Sequence, residues 1–243
     1  MKSKIIILGC GSSMGVPRAD GHFGQCDSKN IKNYRTRCSA LIKSPNENIL
    51  IDTSPDLRQQ LLQNKIKSIS KVFYTHFHAD QTHGINDLRP FFLINKKQIP
   101  VFANSETAKY LHTTFKYCFK KTYDYPSTLK LINLKKNHTF INKNKKILIQ
   151  SISVKHGKIN SLCYIINKKL AYASDISLFY KKDIKKLMKL DYLVIDCLWY
   201  KDHYAHFNLN QVLDLVKILK PKKTILTNMH SDLDYDVLKN KLP

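Results

Sequence analysis

The chain is short of the residues that punctuate or staple a polypeptide. It has seven glycines, eight prolines and six cysteines in 243 residues. No Gly/Ser/Pro-rich linker divides it, and 43% hydrophobic content suffices for a full core, so a single domain over 1–243 is expected. Cys10, Cys26, Cys38, Cys118, Cys163 and Cys197 contain no C-x-x-C pair, and four of them lie in apolar runs, where a small buried thiol is the usual explanation. A reducing, cytoplasmic compartment follows. No apolar run approaches a membrane span. Ile5-Ile6-Ile7-Leu8 is too short for a signal-peptide core and ends at Gly9-Cys10-Gly11. Acidic residues are scarce too: 18 Asp and Glu face 41 Lys and Arg, a formal charge of +23. That balance suggests an acidic partner, nucleic acid or a phosphorylated substrate. Yet only Arg18, Arg35, Arg37, Arg58 and Arg89 are arginines, and the lysines are scattered over every element. We read this as a compositional bias, with nucleic acid the less favoured partner.

What is present alternates between strands and helices. Strands are expected at Lys4 to Leu8, Cys38 to Lys43, Asn48 to Ile51 and Val72 to Thr75, the middle two joined through Ser44-Pro45-Asn46-Glu47. Helices are expected at Asp56 to Gln63, Ile85 to Ile94 and Glu106 to Lys120, the last with Ala108, Leu111, Phe115 and Cys118 at helical spacing, and Val101-Phe102 is a further strand. Leu129 to Ser174 reads as strands with turns at Asn142-Lys143-Asn144 and Asn167-Lys168-Lys169. Strands Tyr192 to Ile195 and Thr224 to Thr227 flank a helix Leu209 to Leu219, which Asn208 caps with Gln211 as its capping-box partner. This order suits an α+β αββα sandwich: two mixed sheets packed face to face with helices outside.

His76-Phe77-His78-Ala79-Asp80-Gln81 follows the apolar run Val72-Phe73-Tyr74. Imidazoles at i and i+2 of an extended backbone point the same way and can share one cation, and a carboxylate two residues on can reach a second. Asp52, His156, Asp175 and His230 also fall just past apolar runs, where loops at sheet ends present converging polar groups.

Ile49-Leu50-Ile51-Asp52-Thr53, Thr75-His76-Phe77-His78-Ala79-Asp80, His156-Gly157, Tyr172-Ala173-Ser174-Asp175 and Ile225-Leu226-Thr227-Asn228-Met229-His230 together resemble the metallo-β-lactamase-fold superfamily of metal-dependent hydrolases. The loop from Leu8 to Pro17, Gly84-Ile85-Asn86-Asp87-Leu88-Arg89 and His203-Tyr204-Ala205-His206-Phe207-Asn208-Leu209 look like the branch of phosphoribosyl cyclic-phosphate phosphodiesterase and the tRNA 3′-end processing endonucleases. The resemblance implies cleavage of a small or cyclic phosphodiester by a metal-bound hydroxide, with one or two divalent ions, Zn2+ or Mn2+. It implies His76, His78 and His156 on a first metal, Asp175 bridging, and Asp80, counted as both ligand and catalytic residue, on a second with a late histidine. His206 resembles the histidine that protonates the leaving alkoxide, with His203 a weaker candidate beside it. Asp52 resembles a carboxylate that orients ligands, and Arg89, Arg35 or Arg37 are candidate phosphate contacts. Relatives are often dimers, so a homodimer is among the expected partners.

Two departures fall on the second metal. Gln81 replaces the family's histidine, and Asn228 stands where many relatives place the last ligand. His230, two residues on in an extended segment, is our expected ligand, and His83 either substitutes for Gln81 or lines the pocket. A neutral amide oxygen is a poor zinc ligand, so the second cation is expected to be weaker, exchangeable or harder. A third departure leaves only Cys26 and His22 where some relatives bind a structural zinc, and no structural zinc is expected. Two other functions compete with the phosphodiesterase: an RNA-processing endonuclease, favoured by charge and disfavoured by the missing Gly/Pro-rich arm, and a nucleotide- or metal-binding protein without turnover, favoured by Gln81.

Overall fold

The computed structural model describes residues 4–45, 47–134, 139–142 and 147–243, which form two compact units. The first unit holds residues 4–8 and 39–134. Its sheet runs in the order β1 (Lys4–Gly9), β2 (Ser39–Ser44), β3 (Glu47–Ile51), β4 (Lys71–Phe73), β5 (Ile99–Ala103) and β6 (Leu129–Asn133). β2 and β3 pair antiparallel, as expected of a hairpin, although Asn46 of its connection lies outside the described residues. β3, β4, β5 and β6 pair in parallel. Parallel strands need crossovers, and the helices supply them. They are α1 (Leu57–Gln63), α2 (Ala79–Thr82), α3 (Arg89–Asn95), α4 (Ser105–Thr114) and α5 (Lys116–Phe119). Leu41, Leu50, Val72, Tyr74, Val101 and Leu111 are buried in one apolar core.

Two expected helices are interrupted. Ile85–Leu88 is a 3-10 turn, and α3 begins only at Arg89, with Pro90 in its first turn where a missing N–H costs nothing. The helix expected over Glu106 to Lys120 breaks at Phe115, whose φ of −114° and ψ of 38° are not helical. The break leaves Cys118 buried, with its carbonyl accepting from Thr128 N–H.

The second unit gathers residues 9–38, 139–141 and 147–243. Its seven-stranded sheet runs β11 (Leu178–Phe179), β8 (Ile147–His156), β9 (Ile159–Ile166), β10 (Leu170–Ala173), β12 (Tyr192–Asp196) and β13 (Lys223–Thr227), with β7 (Thr139–Asn142) beside β8. β8, β9 and β10 pair antiparallel, then β10, β12 and β13 in parallel. The buried run Leu193 to Asp196 is what a strand covered on both faces requires. Asn167 and Lys168 take φ of 52° and 54° in the turn expected there. The turn expected at Asn142-Lys143-Asn144 lies outside the described residues beyond Asn142, the end of β7. α6 (Ile184–Leu187), α7 (Leu209–Leu219) and α8 (Tyr235–Lys241) complete the unit, α7 carrying the expected Asn208–Gln211 capping box.

Arg35 corrects one expectation. It does not reach out for phosphate but is buried, Nη2 donating to Leu233 O at 2.6 Å and Asn33 Oδ1 at 3.1 Å, and Nη1 to His230 O at 3.4 Å. Its Nη1 also lies 4.0 Å from Cys26 Sγ. No helix among the described residues is long and apolar enough to cross a membrane.

Candidate functional site

In the first unit the chemistry gathers past the ends of β3 and β4. Asp52 is fully buried in a left-handed conformation, φ 60°. It takes the Thr75 N–H on Oδ1 at 2.7 Å and the Thr75 hydroxyl on Oδ2 at 2.9 Å. That hydroxyl, having given its proton to Asp52, accepts from His76 Nδ1 at 3.1 Å. His76 therefore carries its proton on Nδ1 and offers Nε2 as a ligand, the arrangement in which a second partner fixes an imidazole's tautomer. His76 Nε2 faces His78 Nδ1 at 2.9 Å, close enough for both to sit on one cation.

Asp80 and Gln81 lie on α2, which is clamped at its end by Thr53: the Thr53 N–H donates to Gln81 O at 2.7 Å, and Gly84 N–H to Thr53 O at 2.9 Å. Gln81 is buried and its Nε2 donates to Asp80 Oδ2 at 3.0 Å. His83 neither replaces Gln81 nor turns inward; it is exposed, hydrogen bonded through Nε2 to the Tyr110 hydroxyl and packed edge-on against Phe115. Arg89 stacks over Tyr125 at 4.4 Å on the rim of a cleft of about 360 Å³ that also includes Asn86, Tyr117 and Thr122.

In the second unit His156 ends β8, Asp175 follows β10, Asp196 ends β12 and Asn228 follows β13. Because β10, β12 and β13 are parallel, their carboxyl ends lie together, the usual place for a site in such sheets. The ligand atoms of His156, Asp175 and His206 all lie within 4.8 Å of one another; His156 and Asp175 suit a divalent cation, and the His206 ring stands beside them. His156 Nδ1 donates to Ala205 O at 2.9 Å, which leaves Nε2 as the ligand atom. Burial pushes the His156 pKa down, with His206 and His203 acting the same way and Asp175 opposing. That direction favours the neutral ring, the form that coordination requires.

Asp196 was not singled out from the sequence, yet it holds His206: Oδ2 lies 2.6 Å from His206 Nδ1 and also accepts the Ile176 N–H at 2.9 Å. Burial raises its pKa to about 7, opposed by the charge and hydrogen bond of His206 and reinforced by Asp175. The signal was there, since Asp196 is another acid at the end of an apolar strand.

His203 stands beside this cluster, its ring 5.1 Å from His206, its Nδ1 accepting the Ala205 N–H, and its pKa lowered by burial and by His206. His230 is a correction. Its ring stacks on Trp199 at 4.9 Å and its Nδ1 accepts the Asp232 N–H at 3.2 Å. The expected facing fails because Asn228 has a φ of 61°, and a left-handed residue breaks the alternation of an extended strand. Asn228 itself occupies the cluster, its Nδ2 3.3 Å from both Asp175 Oδ1 and Asp196 Oδ1 and 3.1 Å from His206 Nδ1.

Residues 47–229 match a family model described as a beta-lactamase superfamily domain. A protein of Porphyromonas gingivalis (strain ATCC BAA-308 / W83) named octanoyltransferase is 31% identical over 230 residues, 93% of this chain and 46% of that protein. A ribonuclease Z of Prochlorococcus marinus (strain MIT 9215) is 27% identical over 164 residues, 65% of this chain and 48% of its own. The chain thus spans about half the length of these curated relatives. Among solved structures, a diphosphatase from the PhnP family superposes with a TM-score of 0.89 at 30% identity over 100% of this chain and 92% of that one. The Zn(2+)-bound PqqB of Methylobacterium extorquens superposes with a TM-score of 0.79 at 16% identity over 99% and 95% of the two chains, a likeness of fold alone.

Proposed function

The chain belongs to the beta-lactamase superfamily and has the metallo-β-lactamase fold, α+β with two mixed sheets, and from that premise we propose that it is a metal-dependent hydrolase of a small or cyclic phosphodiester. The observation that carries this reading is the cluster of His156, Asp175 and His206, with His206 held on Asp196 at 2.6 Å. The similarity to a diphosphatase supports phosphoryl chemistry.

Ligand atoms are offered by His76 and His78 in one unit and by His156 and Asp175 in the other, and zinc or manganese suits such donors. When bound, a divalent cation supplies Lewis acidity, acidifying water and offsetting charge on phosphoryl oxygens. The remaining work falls to the chain. Asp52, acting through Thr75, orients His76. Asp196 engages Nδ1 of His206, so a proton carried by this imidazole at Nε2 is available to the leaving alkoxide.

His206→Ala tests the assignment. Hydrolysis of diesters with poor alkyl leaving groups should slow on the order of 10²–10⁴-fold, the usual worth of a general acid, while activated aryl diesters lose far less. Equal losses across leaving groups would remove His206 from this role. The ribonuclease Z relatives and the charge of +23 favour a second reading, a nuclease acting on RNA, for which steeply salt-dependent tRNA binding is the diagnostic.

A further inference from the structure

We infer that the cleft rimmed by Arg89 is a binding site for a nucleoside monophosphate, with the phosphate on the Arg89 guanidinium and the base against tyrosine. The cleft belongs wholly to the first unit, and none of His76, His78 and Asp80 lines it, so it is a site distinct from the one proposed for hydrolysis. Three stretches build it: Asn86 and Arg89 from the 3-10 turn and the start of α3, Tyr117 from α5, and the loop from Thr122 to Thr128.

Arg89 is exposed, and among the described residues its guanidinium has neither a carboxylate partner nor a hydrogen bond. What it has is the ring of Tyr125, with Cζ 4.4 Å from the centroid. A contact with a ring face consumes no N–H, so the planar fork remains for a phosphate, which it matches with two parallel hydrogen bonds. Stacking also restricts the side chain before a ligand arrives, and less freedom is lost on binding. Tyr125 is held in turn, since the Thr122 N–H donates to Tyr125 O at 3.0 Å and the Tyr125 N–H to Thr122 O at 3.3 Å. The Thr128 N–H donates to Cys118 O at 3.0 Å and ties this loop to α5.

The surroundings favour a doubly charged anion. Between residues 115 and 128 the sequence sets Lys116, Lys120 and Lys121 against one acid, Asp124, and none of these lysines has a carboxylate partner among the described residues. A phosphate monoester brings a charge of about −1.5 to −2 near neutrality, where a carboxylate brings one. Tyr117 and Tyr125 are 46% and 47% exposed, so each keeps ring surface on which a base can stack. The Asn86 amide and the Thr122 hydroxyl, which make no hydrogen bond among the described residues, offer donors and acceptors to the base edge. At about 360 Å³ the cleft lies near the lower bound of ligand pockets, roughly 300 Å³, which suits one nucleotide and not a strand.

The purified full chain is titrated by calorimetry with adenosine monophosphate, adenosine and inorganic phosphate. The monophosphate should bind at least about tenfold more tightly than either fragment, and Arg89→Ala should weaken it roughly 10–100-fold, the worth of hydrogen bonds to a charged group. Arg89 lies outside the core, so this variant keeps its fold. His206→Ala should leave the affinity unchanged. A loss in His206→Ala, alone or together with Arg89→Ala, would place the nucleotide at the catalytic cluster and overturn the inference. Adenosine binding as tightly as its monophosphate would do the same, as would no binding at millimolar concentration. Nuclear Overhauser contacts in the wild type need no variant: base protons should meet tyrosine ring protons, and binding without such contacts would overturn the placement. None of these outcomes bears on the hydrolase reading, which leaving-group dependence tests separately.

Discussion

Gly84 has an ordinary φ of −83°, so it is not retained for a left-handed backbone. A Cβ there would lie 2.0 Å from Ser54 O and 3.0 Å from Leu57 Cβ, because the Gly84 N–H must reach Thr53 O just where the α2 segment turns. Gly84→Ala should therefore cost about 3 kcal/mol or more, the upper range for forced overpacking, seen as a lower urea midpoint at unchanged slope. Gly157 meets both constraints, with φ 57° and Tyr204 Cε2 2.8 Å from where its Cβ would be. At this scale the sequence revealed ligand types but not their aim. His76, His78, His156 and Asp175 could be picked out because each follows an apolar strand. Asp196 obeys the same rule and was passed over, since an aspartate closing a strand carries no signal until a histidine ten residues on folds back to it. His230 was misplaced because periodicity cannot foresee the left-handed turn at Asn228.

Elements were legible where local chemistry decides them. The capping box of α7 and the hairpin of β2 and β3 depend on neighbours in sequence and appear as expected. The break at Phe115 and the C-terminal α8 depend on distant contacts. α8 is capped by Asp234, which accepts from Asp236 N–H and Val237 N–H at 3.0 Å and also from Asp27 N–H and Asn33 Nδ2. The Val237 N–H, then those of Asp27 and the Asn33 amide, hold this carboxyl below its ordinary 3.8. A lowered folded-state pKa means the unfolded chain binds the proton more readily. The stabilisation is therefore complete above the unfolded value and disappears as pH falls through the lower folded one. Asp234→Asn keeps a capping oxygen but sets an NH2 against the Asp27 N–H and Asn33 Nδ2, so it should lose about 1–3 kcal/mol near neutrality and less in strong acid. Denaturation midpoints of the two proteins across the acid range should converge; a constant gap would show that the charge contributes nothing.

At the scale of the molecule, +23 elementary charges work against compactness. The screening length falls from about 30 Å at 0.01 M salt to about 8 Å at 0.15 M, so the thermal midpoint should climb by several degrees over that range. A flat or falling midpoint would mean that local pairing, as in Lys186–Asp183 and Lys222–Asp191, already balances the field. The division into two units was invisible in the sequence. No linker marks it, because residues 9–38 join 147–243 rather than their own neighbours in the chain.

That arrangement governs the order of events on the ribosome. Arg35 emerges about two hundred residues before the carbonyls it binds, those of His230 and Leu233. At about 5–20 residues per second, on the order of ten seconds pass between them. The sheet from β2 to β6 can form in that interval. The Arg35 guanidinium must wait, its hydrogen bonds made only to water, until the turn from His230 to Leu233 arrives to close around it.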